Sequence, residues 1–282
     1  MKLARDPQGL TGLLGGARGE GLSIGLVPTM GFLHEGHLSL VDLARRRSDF
    51  VAVSIFVNPL QFGPGEDLDH YPRDLERDLA LLEDRGVDLV FSPSVDAMYP
   101  LGPPQVTVDP GPMARRLCGQ FRPDHFRGVL TVVARLFGLF RPDLAVFGQK
   151  DFQQAVLIRR MVQDLQLGVD VVMGPIVRED DGLALSSRNV YLSSKEREEA
   201  VGLREALLAV QSGFRQGARS VTRLLSILKE EVGRYPVLSL QYGEIVDPLT
   251  LEPISEAHAG AVAVLAAHCG RTRLIDNHIL EN

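Results

Sequence analysis

The 282-residue chain contains no tryptophan and only two cysteines, Cys118 and Cys269, which lie far apart. Two isolated cysteines build neither a disulfide framework nor a cysteine-rich metal site, so we expect thiols in a reducing, cytoplasmic environment. No apolar run approaches the ~20 residues of a transmembrane helix. The opening segment "MKLARDPQGL" also lacks the apolar stretch and cleavage site of a secretion signal.

An excess of positive charge is also missing. The formal net charge is −6, and the lysines and arginines are scattered along the chain. The charge therefore argues against a protein that binds nucleic acid through a broad basic face, whereas a small anionic ligand needs only a few local donors. Hydrophobic residues make up 45% of the chain, which is enough for a sizeable core, and the length suggests about two domains.

Apolar segments alternate with segments of helical periodicity over residues 1–175. We predict strands at "LSIGLV", "FVAVSIFV", "VDLVF", "DLAVFG" and "VDVVMG", a short strand at "QVTV", and a buried helix at "GVLTVVARLFGLF". Further helices are predicted at "HLSLVDLARRR", "YPRDLERDLALLEDRG" and "QKDFQQAVLIRRMVQDL". This order is typical of βαβ units, and it predicts an α/β fold with a Rossmann-like, doubly wound parallel sheet.

The pattern changes over residues 176–282. Ser193 and Glu196 form a capping box that predicts the start of a long helix, and a second helix is predicted near residues 220–234. Strands are predicted at "SLQYGEIV" and "AVAVLAAH", before the terminal "TRLID". We therefore expect a smaller α+β domain after the parallel sheet.

Two histidines lie where the first long strand turns into a helix, in "VPTMGFLHEGHLSL". Ligands of open parallel sheets bind beyond the carboxyl ends of strands, where helix N-termini offer free backbone N–H groups. His34 and His37, with Gly31 and Gly36 allowing close backbone approach, are placed to donate hydrogen bonds to a phosphate. Two alternatives remain open: each histidine caps or packs the turn, or the pair shares a zinc ion, although no third ligand is near in sequence.

Three other segments follow strands in the same way. "DLAVFGQKDF" places Lys150 at a helix start without forming a P-loop, and a solvated lysine is the alternative. "REDDGLALSSRN" carries hydroxyls and a guanidinium on a glycine-bearing loop, which suits a mobile phosphate clamp or an ordinary surface loop. "FVNPLQFGPGEDLDHYPRD" is a long loop that would line or cover a substrate pocket.

Together these segments resemble the pantoate–β-alanine ligase family, within the HxGH nucleotidylyltransferase superfamily. The resemblance covers nearly the whole chain and is most specific in "FVNPLQF", "GQKDFQQ" and "DGLALSSRN". It implies that pantoate is activated by Mg-ATP as pantoyl adenylate, with release of pyrophosphate. β-Alanine then attacks the acyl carbon, and pantothenate and AMP are released.

The resemblance also implies roles for individual residues. The catalytic group comprises His34, His37, Lys150, Ser186, Ser187 and Arg188. The ATP contacts comprise Met30, Gly31, Phe32, Leu33, His34, Glu35, Gly36, His37, Gly148, Gln149, Lys150, Asp151, Val177, Leu185, Ser186, Ser187 and Arg188. Gln61 and Gln154 hold pantoate, Gln61 also faces β-alanine, Asn58 and Tyr71 line the site, and Asp78 joins a magnesium shell.

The family is usually dimeric, so a homodimer is implied, with residues 1–175 binding nucleotide and pantoate and residues 176–282 acting as a lid. Two rival functions remain open. One is a nucleotidyltransferase whose stable product keeps the nucleotide, and the other is a non-catalytic nucleotide-binding regulator. No Ser-His-Asp or Cys-His arrangement is present, and none is required when the substrate carboxylate itself attacks.

Overall fold

A computed structural model describes residues 1–282, which group into two compact units. The first unit comprises Met1–Arg115, Gly119–Gly148 and Leu157–Pro175. The second comprises Arg116–Cys118, Gln149–Val156 and Ile176–Asn282. Lys150 and Gln154 thus belong to the second unit, although both lie within residues 1–175 of the sequence.

The first unit contains a six-stranded parallel sheet in the order β1-β4-β3-β2-β5-β6. Its strands are β1 (Lys2–Ala4), β2 (Ile24–Thr29), β3 (Phe50–Ile55), β4 (Leu89–Phe91), β5 (Leu144–Gly148) and β6 (Asp170–Gly174). Central strands of such a sheet are covered on both faces, which explains their continuous apolar runs. The predicted α/β fold with a parallel sheet is confirmed.

Helices connect these strands, as the periodicity predicted. They are α1 (Pro7–Gly19), α2 (Glu35–Arg45), α3 (Leu75–Asp84), α4 (Val95–Met98), α5 (Cys118–Phe121), α6 (His125–Phe140) and α7 (Phe152–Asp164). Short 3₁₀ turns occur at Pro59–Gln61, Pro112–Arg115, Gln149–Asp151 and Ser187–Tyr191. Helix α6 is buried along most of its length, which confirms the interpretation of its long apolar run as a helix.

The second unit contains a three-stranded antiparallel sheet of β7 (Leu238–Val246), β8 (Val262–Cys269) and β9 (Thr272–Ile279). Its helices are α8 (Ser194–Glu199), α9 (Gly202–Arg215) and α10 (Val221–Val232). A separate hydrophobic core includes Leu207, Phe214, Leu224 and Leu265. The predicted smaller α+β part is therefore present.

Two local predictions are wrong. "QVTV" forms no strand: Val106 is 86% exposed, and the amide of Val108 donates to the Thr131 hydroxyl instead of to a neighbouring strand. The capping box at Ser193 is present, but the helix it starts ends at Glu199. A new helix begins at Gly202, where a Cβ atom would come within 2.4 Å of the Tyr235 ring.

No helix of the chain is long and apolar enough to span a membrane.

Candidate active site

Residues 30–37, here called the HEGH turn, join β2 to α2 in the first unit. His34 is the N-cap of α2, and its Nδ1 accepts the Gly36 N–H at 3.1 Å. The Nδ1 of His37 accepts the His34 N–H at 3.3 Å, and the two ring centroids are 4.1 Å apart. The capping contacts of the first alternative are thus present. They leave a chemical role open, because a neutral ring that accepts at Nδ1 carries its proton on Nε2 and donates from there.

The backbone ahead of the histidines is in the left-handed region at two consecutive residues. Gly31 has φ 81° and Phe32 has φ 49°. A Cβ atom at position 31 would lie 2.9 Å from the Ile55 side chain and 3.0 Å from the Asp78 carboxylate. The turn therefore requires glycine at 31, and Phe32 accepts a backbone conformation that costs free energy.

Asp78 of α3 holds this strained backbone. Its two carboxylate oxygens accept the N–H groups of Phe32 and Leu33, both at 2.7 Å, and the residue is 1% exposed. Burial raises the pKa of Asp78, and the two backbone hydrogen bonds oppose that rise. Arg77 donates to the Leu33 carbonyl at 2.9 Å, and its guanidinium lies 5.4 Å from the centre of the Phe32 ring.

The magnesium role implied for Asp78 does not fit this arrangement. Both of its oxygens already accept backbone N–H groups, and no group of three or more His, Cys, Asp or Glu side chains is placed to hold a metal ion. The same finding gives no support to zinc shared by His34 and His37. A magnesium ion that arrives bound to ATP is part of the substrate and needs no such group.

Other members of the turn differ in what they offer a ligand. The Leu33 side chain is 1% exposed and packs in the hydrophobic core, and the Leu33 N–H and carbonyl are both bonded to α3. The Glu35 carboxylate pairs with Arg85 at 2.9 Å. Met30 faces the predicted substrate residues: its sulfur accepts from the Gln61 side-chain amide at 3.0 Å.

The predicted substrate residues Asn58 and Gln61 lie together after β3, and both are buried. Asn58 donates from Nδ2 to Gln61 Oε1 at 3.3 Å and to the Gly128 carbonyl at 3.1 Å. The Tyr99 hydroxyl donates to Asn58 Oδ1 at 2.9 Å. A Cβ atom at Gly128 would lie 2.3 Å from the Leu60 carbonyl oxygen, so α6 approaches this segment as closely as glycine permits. The structure thus brings Met30, Asn58 and Gln61 together.

The main chain of Gln61 is held as firmly as its side chain. Its carbonyl oxygen lies 3.2 Å from Arg122 Nη2 and 2.8 Å from His125 Nδ1. Arg122 also forms an ion pair with Glu66, in the loop that the sequence predicted to line a pocket. Tyr71, at the end of that loop, is 5% exposed and packs edge-on against Phe62 with 6.1 Å between ring centroids.

In the second unit, Asn277 of β9 holds the turn that carries Lys150. Asn277 Nδ2 donates to the backbone carbonyls of Gln149 at 2.9 Å and Lys150 at 3.1 Å. Its Oδ1 accepts from the side-chain amide of Gln149 at 3.1 Å. Asn277 is 2% exposed, so this clamp is shielded from water. Lys150 is half-buried and Asp151 is exposed.

The "DGLALSSRN" segment is an ordered hairpin. The Leu185 N–H donates to the Val177 carbonyl at 3.0 Å. Arg178 pairs with the buried Asp276 at 2.7 Å and donates to the Gly182 carbonyl at 3.0 Å. Further contacts order the loop. Ser186 Oγ accepts the Arg188 N–H, and Asn189 donates to Glu179 and to the Ala184 carbonyl. Arg197 forms ion pairs with Glu179 and Asp181.

The neighbouring residues Gln153 and Gln154 differ in environment. Gln153 is 7% exposed, accepts the Cys118 N–H at 3.0 Å and donates to the Arg116 carbonyl at 2.9 Å. Gln154, the residue predicted to hold pantoate, is half-buried. Gly148 closes β5 beside Gly174 of β6.

Three groups of supporting residues were not predicted: Tyr99, the pair Arg122 and His125, and Asn277. All four residues fall in the segments "SPSVDAMYP", "RPDHFRGVLTVV" and "TRLIDN". Their partners are 41, 61, 64 and 127 to 128 positions away in sequence, so no local spacing indicates them.

Comparisons with known proteins agree with the family resemblance found in the sequence. A sequence model of the pantoate-beta-alanine ligase family matches residues 2–279. The chain is 56% identical to a pantothenate synthetase of Nocardioides sp., over 98% of this chain and 84% of that one. A crystal structure of pantothenate synthetase from Thermus thermophilus has a TM-score of 0.93, 49% identity and full coverage of both chains. A pantoate-beta-alanine ligase of Francisella tularensis, complexed with beta-gamma ATP and beta-alanine, has a TM-score of 0.81 and 33% identity, covering 99% of this chain and 97% of that one.

Proposed function

The chain belongs to the pantoate–β-alanine ligase family, and from that premise we propose how its residues carry out the reaction. It is an enzyme that condenses pantoate with β-alanine at the expense of ATP. The observation that carries this conclusion is the match to the family over residues 2–279. The residue roles below rest on the geometry of each unit together with the family resemblance.

The proposed reaction has two steps. A carboxylate oxygen of pantoate attacks the α-phosphorus of ATP, and the bond from that phosphorus to the bridging oxygen breaks, releasing pyrophosphate. The β-alanine amine then attacks the acyl carbon of pantoyl adenylate, loses a proton, and expels AMP as the carbon–oxygen bond breaks. The nucleophiles come from the substrates, so the protein supplies positioning and electrostatic stabilisation.

In the first unit we assign phosphate contacts to His34 and His37. Both rings accept a backbone N–H at Nδ1, which makes Nε2 the donating nitrogen of each neutral ring. A donor aimed at phosphoryl oxygens stabilises the charge that develops there. Met30, Gly31, Phe32 and Gly36 complete the nucleotide contacts proposed for the turn, and Gly148 those at the end of β5.

In the second unit we assign ATP contacts to the Gln149–Asp151 turn and to the hairpin at Val177 and residues 185–188. Asn277 fixes the main chain at Gln149 and Lys150, which restricts the positions open to the Lys150 ammonium. The Arg178–Asp276 pair and Asn189 order the hairpin that carries Ser186, Ser187 and Arg188. These cationic and hydroxyl groups suit the phosphates of ATP.

We assign pantoate to Gln61 and Gln154, with Gln61 also facing β-alanine. Amide side chains donate and accept hydrogen bonds without adding charge, which suits a hydroxyl-bearing acid. Asn58 orients Gln61 through the contact between their amides, and the buried Tyr71 lines the pocket. Met30, which accepts from Gln61, is part of the same wall.

Three further properties are proposed from family membership. Magnesium enters with ATP, bound to the phosphates of the nucleotide. The protein is a homodimer, and it acts in the cytoplasm, where the free Cys118 and Cys269 remain reduced. We also propose that residues 1–175 form the nucleotide- and pantoate-binding domain and residues 176–282 a lid domain.

A steady-state assay of AMP and pyrophosphate, with each substrate omitted in turn, tests the proposed function. We expect AMP to form catalytically only when ATP, pantoate and β-alanine are all present. AMP release without an amine acceptor would contradict the two-step ligase. A stable product that retains the nucleotide would instead support the nucleotidyltransferase rival, and binding of ATP without turnover would support a regulator.

A further inference from the structure

We propose that Asp78 is a positioning residue whose carboxylate holds the HEGH turn in the conformation that presents His34 and His37. The effect on catalysis rests on the proposed function, in which this turn contacts ATP. The holding contact itself does not depend on that function. The proposal replaces the magnesium role that the family resemblance implied for Asp78.

The first support is the pair of hydrogen bonds that Asp78 accepts. The N–H groups of Phe32 and Leu33 are consecutive, and both lie 2.7 Å from a different oxygen of this carboxylate. Consecutive N–H groups of a left-handed turn converge as an anion-binding concavity. Here the concavity is filled by the protein's own carboxylate, so these two donors serve the turn and are not offered to a phosphate.

The second support is the strain of the backbone that is held. Gly31 and Phe32 both have positive φ, a conformation that a non-glycine residue adopts only when its surroundings hold it there. Arg77, adjacent to Asp78 on α3, donates to the Leu33 carbonyl and packs over the Phe32 ring. Two consecutive residues of α3 therefore bind the turn. Asp78 accepts from two of its amides, and Arg77 contacts its Leu33 carbonyl and its Phe32 ring.

The third support is the short path from the contact to the histidines. Leu33 immediately precedes His34, which is the N-cap of α2 and whose N–H bonds to the His37 ring. A displacement of the Leu33 amide therefore shifts the start of α2 and both imidazoles together. Catalytic groups that are misplaced by about 1 Å lose on the order of 10²-fold in rate.

The fourth support is the burial of Asp78, because removing a carboxylate from water costs free energy that its contacts must offset. The residue is 1% exposed, and its nearest ion pair, to Arg77 Nη1, is long at 3.7 Å. A buried carboxylate with so distant a counter-ion depends on hydrogen bonds for its stabilisation. The N–H groups of Phe32 and Leu33 supply them.

The test is Asp78→Asn, which keeps the size of the side chain but turns one acceptor into an NH₂ group facing a backbone N–H. Two matched controls lie on the same helix: Glu76→Gln and Glu83→Gln each remove an exposed charge that makes no contact with the turn. For Asp78→Asn we expect kcat to fall about 10–10²-fold while the KM for pantoate changes by less than about twofold. The apparent magnesium requirement should equal that of the wild type.

A second readout is independent of turnover. The ring signals of His34 and His37 in two-dimensional NMR spectra should shift in Asp78→Asn and stay in place in both controls. Restoration of Asp78→Asn activity by excess magnesium, or unchanged histidine signals, would overturn the proposal. If the wild type proved to have no ligase activity, the proposed function would fail while these signals still reported on the turn.

The wild-type protein provides the test if Asp78→Asn does not fold. Amide hydrogen exchange should be slow at Phe32 and Leu33, and magnesium chloride added without nucleotide should change neither those rates nor the histidine signals. Fast exchange at both amides, or a response to the metal alone, would refute the holding contact.

Discussion

The Tyr99 hydroxyl donates to Asn58 Oδ1 at 2.9 Å, and together with the Leu60 N–H, which donates to the same oxygen at 3.3 Å, it sets which way the Asn58 amide faces. With its oxygen bound to the phenol, Asn58 directs Nδ2 to the Gln61 side chain, and Gln61 in turn directs its Nε2 to Met30. Burial raises the pKa of Tyr99 to about 12, so the phenol remains a neutral donor across the physiological range. A residue outside the proposed substrate contacts thus orients two that are within them.

Tyr99→Phe removes this donor and leaves the buried Asn58 oxygen without its phenol partner. We expect kcat/KM for pantoate to fall by about 1–3 kcal/mol, while the KM for ATP changes little. Steady-state kinetics with each substrate varied in turn measures this. Tyr235→Phe is the control, because that hydroxyl bonds to Glu205 in the second unit and should leave both constants unchanged. An equal loss for ATP and pantoate would contradict the proposed chain of contacts.

Gln61→Ala and Gln154→Ala should each weaken pantoate use by about 1–3 kcal/mol, because a bound substrate loses a hydrogen-bonding partner. Isothermal titration of pantoate and of ATP separates the two affinities. Gln153→Ala provides the contrast: it removes contacts to Cys118 and Arg116, so the melting temperature should fall while pantoate affinity is retained. If ATP affinity fell and pantoate affinity did not, the assignment of the two glutamines would be refuted.

His37→Ala and Lys150→Ala should damage adenylate formation more than amide formation. In the first step the carboxylate attacks phosphorus and pyrophosphate leaves, so charge redistributes more on the phosphoryl group than in the second step, which begins with an activated acyl group. Losing one donor in the first step typically costs ~10²–10³ in rate. Single-turnover release of pyrophosphate measures the first step, and conversion of supplied pantoyl adenylate with β-alanine measures the second. Lys229→Ala, at an exposed position, is the control. Equal losses in the two steps would be incompatible with this assignment.

Asp276→Asn should destabilise the second unit. It removes the charge opposite Arg178, whose side chain is 18% exposed while that of Asp276 is 3% exposed. Breaking a buried pair from one side costs about 3 kcal/mol of unfolding free energy. Urea unfolding of the variant and the wild type measures this loss. Asp164→Asn breaks the exposed Arg160–Asp164 pair and should cost less than about 0.5 kcal/mol. Similar costs for the two variants would show that the Arg178 contact does not order the hairpin.

The Glu66–Arg122 pair predicts an acid-sensitive contribution to stability. Burial by itself raises the pKa of Glu66, but the hydrogen bond and charge of Arg122 outweigh it, so the pKa lies below its ordinary value of 4.5. A lowered carboxyl pKa contributes stability that is present above the unfolded-state pKa and is lost as the pH falls through the folded-state pKa.

Urea unfolding of the wild type and Glu66→Gln from pH 7 down to pH 3 measures this contribution. The wild type should be more stable at neutral pH, and the difference should shrink below about pH 4.5. A constant difference across this range would contradict the role of the Glu66 charge. Glu83→Gln, at a solvent-exposed carboxylate, provides the comparison for a charge change without a buried partner.

The sequence by itself determined the alternation of strands and helices, the change of pattern near residue 175, and the segments that carry the proposed chemistry. Those features are local: an apolar run, a helical period, a capping box at Ser193 and a glycine-bearing turn act over a few residues. The prediction of a strand at "QVTV" was wrong because it rested on such a local pattern. A short alternating run is compatible with a strand, but only a neighbouring strand decides it, and Val106 is exposed instead.

Only the tertiary structure decided how the proposed site residues are supported. Asp78 meets Phe32 across 46 positions, Tyr99 meets Asn58 across 41, and Asn277 meets Gln149 across 128. Such contacts depend on which strands are neighbours and on how each helix packs, and neither is encoded in local spacing. Asp78, for which the family resemblance implied a magnesium role, is therefore found bound to a strained turn, because its partners are backbone amides that only the fold brings within reach.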